Sequence, residues 1–263
     1  MKKLWAAFAV VNIVSFAILG WVGVEIYRHK PPIPMQVVDE TGAAVFPDGA
    51  ISEGQSVWQA LGGMQVGSVW GHGAYVAPDW TADWLHRELV FVLDSWAKSE
   101  KASSYEALPE ERRAALRQRL ETTFRTNRFD EATGRLTISK ERADAFRSNA
   151  AHYADVFLKG RVAYAIPAGA LSDPDRAMKM SAFFFWSSWA ASTNRPGMAT
   201  TYTNNWPHEP LIGNRPTGAA VVWTGVSIIL LLAGISAMVW FYASSASAHL
   251  GKSIPAADPL RGL

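Results

Sequence analysis

The sequence predicts a mainly α membrane protein, in which two transmembrane helices flank a mostly helical water-facing domain. Residues 4–24 and residues 216–248 contain no Asp, Glu, Lys, Arg or His. A membrane helix needs about 20 mostly apolar residues to cross the hydrocarbon core, and both stretches meet that length. The region between them, residues 31–215, has mixed charge and is long enough for one domain with its own core.

The first apolar run, LWAAFAVVNIVSFAILGWVGV, is interrupted only by Asn12 and Ser15. It is longer than the apolar stretch of a signal peptide and no small-x-small site follows it, so it reads as an uncleaved anchor. The second has its apolar centre at residues 219–242. Trp5, Trp21, Tyr27, Trp223, Trp240 and Tyr242 lie near the ends of these runs, where aromatic rings favour the headgroup layer. Two spans place both termini on one side. Lys2 and Lys3 compete with Arg28 and Lys30, and Lys252 and Arg261 tip the balance toward cytoplasmic termini and a periplasmic central domain. The expected division is an anchor at 1–30, a periplasmic domain at 31–215, and a second helix with a short tail at 216–263.

Net charge is only +2, with no long basic run or aromatic-basic platform, which argues against nucleic acid as a partner. There is no cysteine. Disulfides, thiolate metal sites, iron–sulfur clusters and thioether-linked haem are therefore excluded from this chain.

Within the central region, KPPIPMQVV reads as an extended linker, because proline disfavours helix at its own position and at the residue before it. A turn at FPDGA follows, and a short helix is expected from Ser52, with Ser52 as N-cap and Gln55 as its capping-box partner. Gly62 and Gly63 would end that helix. After a glycine- and aromatic-rich loop at 67–78, Trp80, Trp84, Leu85, Leu89, Val92, Leu93 and Trp96 form a helical stripe. Leu116, Leu120 and Phe124 recur every four residues in a helix from about Glu110. DEATGRLTI, ending at Ile138, predicts a turn and short strand, giving a small β-hairpin. The next helix, 140–159, buries Phe146, Ala150, Tyr153 and Phe157. Asp173 and Pro174 then signal a helix start as N-cap and first helical residue. The apolar part of that helix, 181–191, is too short to span and reads as a core helix or one lying on the membrane surface.

The informative stretch is GQSVWQALGGMQVGSVWGHGAYVAPDWTADWLHRE, residues 54–88. It resembles the cytochrome c subunit of nitric oxide reductases, whose pattern is a WQ-type pair, CxxCH, then a G-x-GAY-x-AP segment. Matching Trp58 and Gly71 to that spacing puts Gly63, Met64, Gln65, Val66 and Gly67 in the CxxCH positions. Glycine at 63 and 67 and valine at 66 supply neither the two thiols nor the axial imidazole that haem c requires. The resemblance continues through ATTYTNNWPHEPLIGNRPT to the second apolar helix, and a haem-less cytochrome c-like domain of this kind is characteristic of the quinol-dependent nitric oxide reductases. Such a domain would hold no cofactor, with Trp70, Trp80, Trp84 and Met64 available to fill the haem space.

The family's catalytic core carries about a dozen further membrane helices, whose histidines hold two b-type haems and a non-haem iron. None of the six histidines here, His29, His72, His86, His152, His208 and His249, lies in an apolar span. The resemblance therefore implies a fragment or separate subunit, itself inactive, whose partners are membrane lipid and a polytopic haem-binding core that reduces NO to N2O. In cytochrome-dependent relatives, the loop corresponding to Gly73 and Tyr75 offers main-chain carbonyls to a calcium ion at the subunit interface, which suits a hard cation. The alternative is a tight glycine turn that packs Tyr75 into the core.

His72 reads as a surface or hydrogen-bonding residue rather than a metal ligand, since metal sites need several convergent ligands. His86 and Glu88, two apart on a helix, do not face each other. His208 and Glu209 suggest proton transfer or, more simply, an interfacial turn with Asn204 and Asn205 as caps, Pro207 and Pro210 as stiffeners and Trp206 at headgroup level. Residues 183–186, Trp80 and Trp84 read as core. A truncated two-pass sensor or chemoreceptor, and a free-standing structural or assembly subunit, are the competing functions. Against the sensor, no coiled-coil heptads follow Tyr242.

Overall fold

The computed structural model describes residues 2–253, and the chain falls into two compact units, Met1–Arg215 and Pro216–Leu263. Among the described residues, the first unit begins with helix α1 (Lys2–His29) and the second contains helix α7 (Gly218–Ser253). Both contain a stretch long and apolar enough to cross a membrane, Trp5–His29 and Gly218–Ser245. Their apolar side chains are exposed, Phe16 at 71% and Leu230 at 65%. Such exposure in water would be costly, so it is consistent with membrane insertion. Arg261 and the tail around it lie outside the described residues.

Between the two apolar helices, the chain forms β1 (Gln36–Asp39), α2 (Ala50–Ala60), α3 (Trp80–Ser99), α4 (Glu110–Arg125), β2 (Phe129–Asp130), β3 (Arg135–Ile138), α5 (Lys140–Lys159) and α6 (Pro174–Ser192). The expected hairpin is present as β2 antiparallel to β3. The extended KPPIPMQVV segment is more than a linker, however. Its last residues form β1, which pairs in parallel with β3, Val37 opposite Leu136, to give the order β1-β3-β2. The prolines stop at Pro34, leaving the backbone donors from Met35 onward free to pair, and Val37 and Val38 are buried.

Helix α2 starts at Ala50 rather than at a Ser52 cap, with Gly49 at the N-cap in a left-handed conformation and no side-chain cap. Gly49 turns the chain three residues before Ser52, which leaves Ser52 inside the first turn. Helix α3 is capped by Asp79, whose side chain accepts from Ala82 N. Helix α5 is capped by Ser139 in the same manner. Helix α6 has Asp173 as cap and Pro174 in the first turn, as the sequence predicts.

Helix α6 is the centre of the fold. Every residue from Ser181 to Ser192 is buried, so it is a core helix and not a surface-lying one. Helix α2 packs closely on it: a Cβ at Gly54 would fall 1.9 Å from Lys179 O. Two clusters share α3. Trp80 and Trp84 face α5 and α6, whereas Leu85, Leu89, Val92, Leu93 and Trp96 pack with Leu116, Leu120 and Phe124 of α4. In α5, Phe146, Tyr153 and Phe157 are buried, and Ala150 is only partly so. Glu88 and Arg142, both buried, join α3 to α5 at 2.7 Å. Trp84 Nε1 donates to Glu88 Oε2, and the guanidinium lies over the Phe124 ring.

Candidate functional site

The loop between α2 and α3 is held by its two ends. Asp79 Oδ2 accepts from Ser68 Oγ at 2.6 Å and from Gly71 N at 2.7 Å, while Ser68 Oγ accepts from Gly73 N at 2.7 Å. Trp80 N donates to Ser68 O, which closes the loop at its base. Both Ser68 and Asp79 are buried. Asp79 thus caps α3 and organises the GHGAY segment at once. Sequence reasoning passed over it, although an Asp immediately before the helical stripe is an N-cap signal.

Gly63, Met64, Gln65 and Val66 form a single 3-10 turn, bounded by Gly62 at φ 117 and Gly67 at φ 123. Trp58 Nε1 donates to Gly67 O and Trp80 Nε1 to Val66 O. A Cβ on Gly67 would stand 2.1 Å from Trp80 Nε1 and 2.9 Å from Pro78 O. The Trp80 indole, fully buried, stacks on Phe184 at 5.5 Å and meets Tyr153, Phe157 and Tyr164. Trp84 is likewise fully buried, stacked on Tyr153. Met64, expected as another filler, is instead 54% exposed because the 3-10 turn leaves its side chain outside this aromatic stack.

Two further contacts turn the loop into a platform. Trp70 Nε1 donates to Ser187 O on α6, with its ring against Trp186. Trp206 Nε1 donates to Gly71 O, and its ring meets the exposed His72 imidazole at 4.7 Å. The 201–214 segment is itself tied down by Arg125, which donates to Ile212 O, Asn194, Asn205 and Asn214. Its Glu209 is buried, accepting from Leu211 N and pairing with His86 Nδ1 at 3.0 Å. This hydrogen bond raises the His86 pKa above its ordinary value, against the opposing effect of burial. His86 and Glu88 do face apart, each with a different partner. Trp206 serves a packing role, held half-buried against the loop.

At the tip, Ala74 N donates to Ala77 O and Tyr75 is fully exposed. Tyr75 is therefore not packed into the core, because the turn carries its side chain outward. Gly73 has φ 88, and a Cβ there would lie 2.9 Å from Ala77 O. The carbonyls of Gly73 and Tyr75 accept no hydrogen bond from a described residue.

The family model for the cytochrome c-like domain of the nitric oxide reductase protein NorB matches residues 34–208. The chain belongs to this family. No curated protein gives a match. In a haem-bearing domain of this type, attachment would fall on the Gly63–Val66 turn and Gly67 by the CxxCH spacing. These residues do not fit haem c: there is no thiol, and Trp80 blocks the direction in which an axial side chain at 67 would have to project. Among the described residues, no group of three His, Cys, Asp or Glu side chains is placed to hold a metal ion. Two free carbonyls at Gly73 and Tyr75 are far short of the six to eight oxygens that calcium takes, so these residues do not form a calcium site by themselves.

Proposed function

We propose that the chain is the non-catalytic N-terminal module or subunit of a quinol-dependent nitric oxide reductase, capping the periplasmic side of a polytopic catalytic core that reduces NO to N2O. The observation that carries this reading is the buried Trp80 indole packed against Gly67, which the CxxCH spacing sets at the axial-ligand position. A domain of the NorB cytochrome c-like family that has neither thiols nor an imidazole at these positions is suited to docking. Electrons would pass from quinol to haem b and non-haem iron within the core. On this reading the termini are cytoplasmic and the domain is periplasmic at a bacterial inner membrane. The docking face is the loop tip, where Gly73 and Tyr75 present carbonyls to a calcium ion completed by oxygens of the core.

The test is reconstitution. The full chain would be expressed alone and together with a quinol-dependent nitric oxide reductase core lacking this region. Stable co-purification, with quinol-driven NO consumption only when the core is present, supports the reading. A core that neither retains the chain nor depends on it overturns the proposal.

A further inference from the structure

A groove of about 520 Å³ opens where α1 leaves its apolar span, within the range of about 300–1,000 Å³ typical of ligand sites. One wall is apolar: Trp21, Val22 and Ile26 on α1, with Trp70 and Tyr202 of the domain opposite. The other end carries His29, Lys30 and Arg195, which also line the adjoining groove. We propose that this groove holds an anionic phospholipid of the leaflet facing the domain, its phosphate between Lys30 and Arg195 and its acyl chain along Trp21, Val22 and Ile26.

The charges favour an anion. Glu25 is already occupied, paired with Arg28 at 3.2 Å and His29 at 3.3 Å. Lys30 and Arg195 make no ion pair among the described residues; Lys30 lies over the Tyr27 ring, and Arg195 Nη2 donates to Tyr202 O. Arg195 Nε is sealed from water without any partner, an arrangement that costs free energy unless an acceptor arrives. Glu131, in the adjoining groove, makes no ion pair and subtracts one charge, and the last carbonyls of α1 oppose an anion further. Two unpaired cations against one unpaired carboxylate leave the site positive.

The apolar wall selects a lipid over a soluble anion. Trp21 and Ile26 are 65% and 66% exposed on the same helix that forms the apolar span. A free phosphate would leave that wall bare, whereas an acyl chain covers it while the headgroup reaches the cations at the interface, where aromatic and basic anchors belong.

The full chain, purified in detergent, would be offered phosphatidylglycerol or phosphatidylcholine of identical acyl chains, and bound lipid read by native mass spectrometry. Phosphatidylglycerol should be preferred, and Lys30→Gln or Arg195→Gln should each lower its retention about fivefold. Arg195→Lys should restore most of it, and the surface control Lys98→Gln should leave it unchanged. Equal retention of the two lipids, or undiminished phosphatidylglycerol in the doubly substituted chain, overturns the proposal. Displacement by inorganic phosphate alone overturns the lipid in favour of a soluble anion. Loss of the bound lipid on co-purification with a polytopic core overturns it in favour of a protein occupant.

Discussion

Trp80 stands in the space that any side chain at Gly67 would need, its Nε1 only 2.1 Å from where a Cβ would be. The two residues thus form one unit, a glycine whose missing side chain admits an indole that donates to the neighbouring Val66 carbonyl at 3.0 Å.

This pairing predicts strong coupling. Gly67→Ala should destabilise the chain by about 2 to 4 kcal/mol, from overpacking and from the positive φ. Trp80→Ala should cost about 3 to 5 kcal/mol through its cavity. In the double variant, the alanine at 67 enters the vacated space, so the combined loss should fall well short of the two single losses added together. Unfolding of the full chain in detergent measures all three; simple additivity would mean that the two sites are independent.

Glu88 and Arg142 give a second prediction. Each is buried and the pair spans α3 and α5. Removing one partner strands a buried charge, so Glu88→Ala should cost about 3 to 5 kcal/mol. Replacing both with methionine should cost much less, because no charge is then left without a partner. Denaturant unfolding of the two variants separates these cases.

The sequence exposed those parts of the fold that rest on local rules. The spans followed from charge-free length, α5 and α6 from apolar periodicity and from the Asp173 and Pro174 start signal, and the hairpin from the turn and short strand read in DEATGRLTI. What it concealed depended on distant partners. Val37 and Val38 looked like linker because the strand they pair with lies about a hundred residues later. Glu209 looked like a turn residue because its partner His86 is 123 positions away. The CxxCH register was legible from spacing, but which side chain packs against Gly67 depended on tertiary contacts: it is Trp80, whereas Met64 is exposed.

The His86 and Glu209 contact predicts a pH dependence with a definite sign. The folded-state pKa of His86 is raised, first by the hydrogen bond to Glu209, then by the Glu209 and Asp83 charges, with burial and Arg87 opposing. A raised folded-state value means that protonation favours the fold. The contribution is fully present below the unfolded value near 6.5 and is lost as pH rises through the folded-state pKa. The imidazole is largely exposed, so the effect is small. Thermal unfolding of the native chain and of His86→Gln, compared from about pH 6 to about pH 9, should show the native advantage shrinking with rising pH. A difference that is flat or that grows would contradict the assignment.

The proposal that the GHGAY tip docks on a core is best tested at Tyr75 rather than at Gly73. Gly73→Val places a branched side chain at φ 88, with its Cβ 2.9 Å from Ala77 O, so it strains the loop whatever the loop contacts. A cost of about 1 kcal/mol or more in the stability of the chain itself is expected there, and lost association would then be ambiguous. Tyr75 has no such burden, because its side chain is fully exposed and makes no packing contact that its removal would disturb. Surface substitutions of this kind change stability by no more than about 0.5 kcal/mol. If the tip docks on a catalytic core, an exposed tyrosine at its apex is the type of residue that anchors an interface, and Tyr75→Ala should weaken co-purification with the core by about tenfold or more while leaving thermal unfolding unchanged. On the proposed reading calcium would be held by backbone carbonyls, which Tyr75→Ala retains. Chelation should therefore weaken association further in the Tyr75→Ala chain if the ion is shared at the interface. Full association of Tyr75→Ala with the core would place the docking surface elsewhere on the domain.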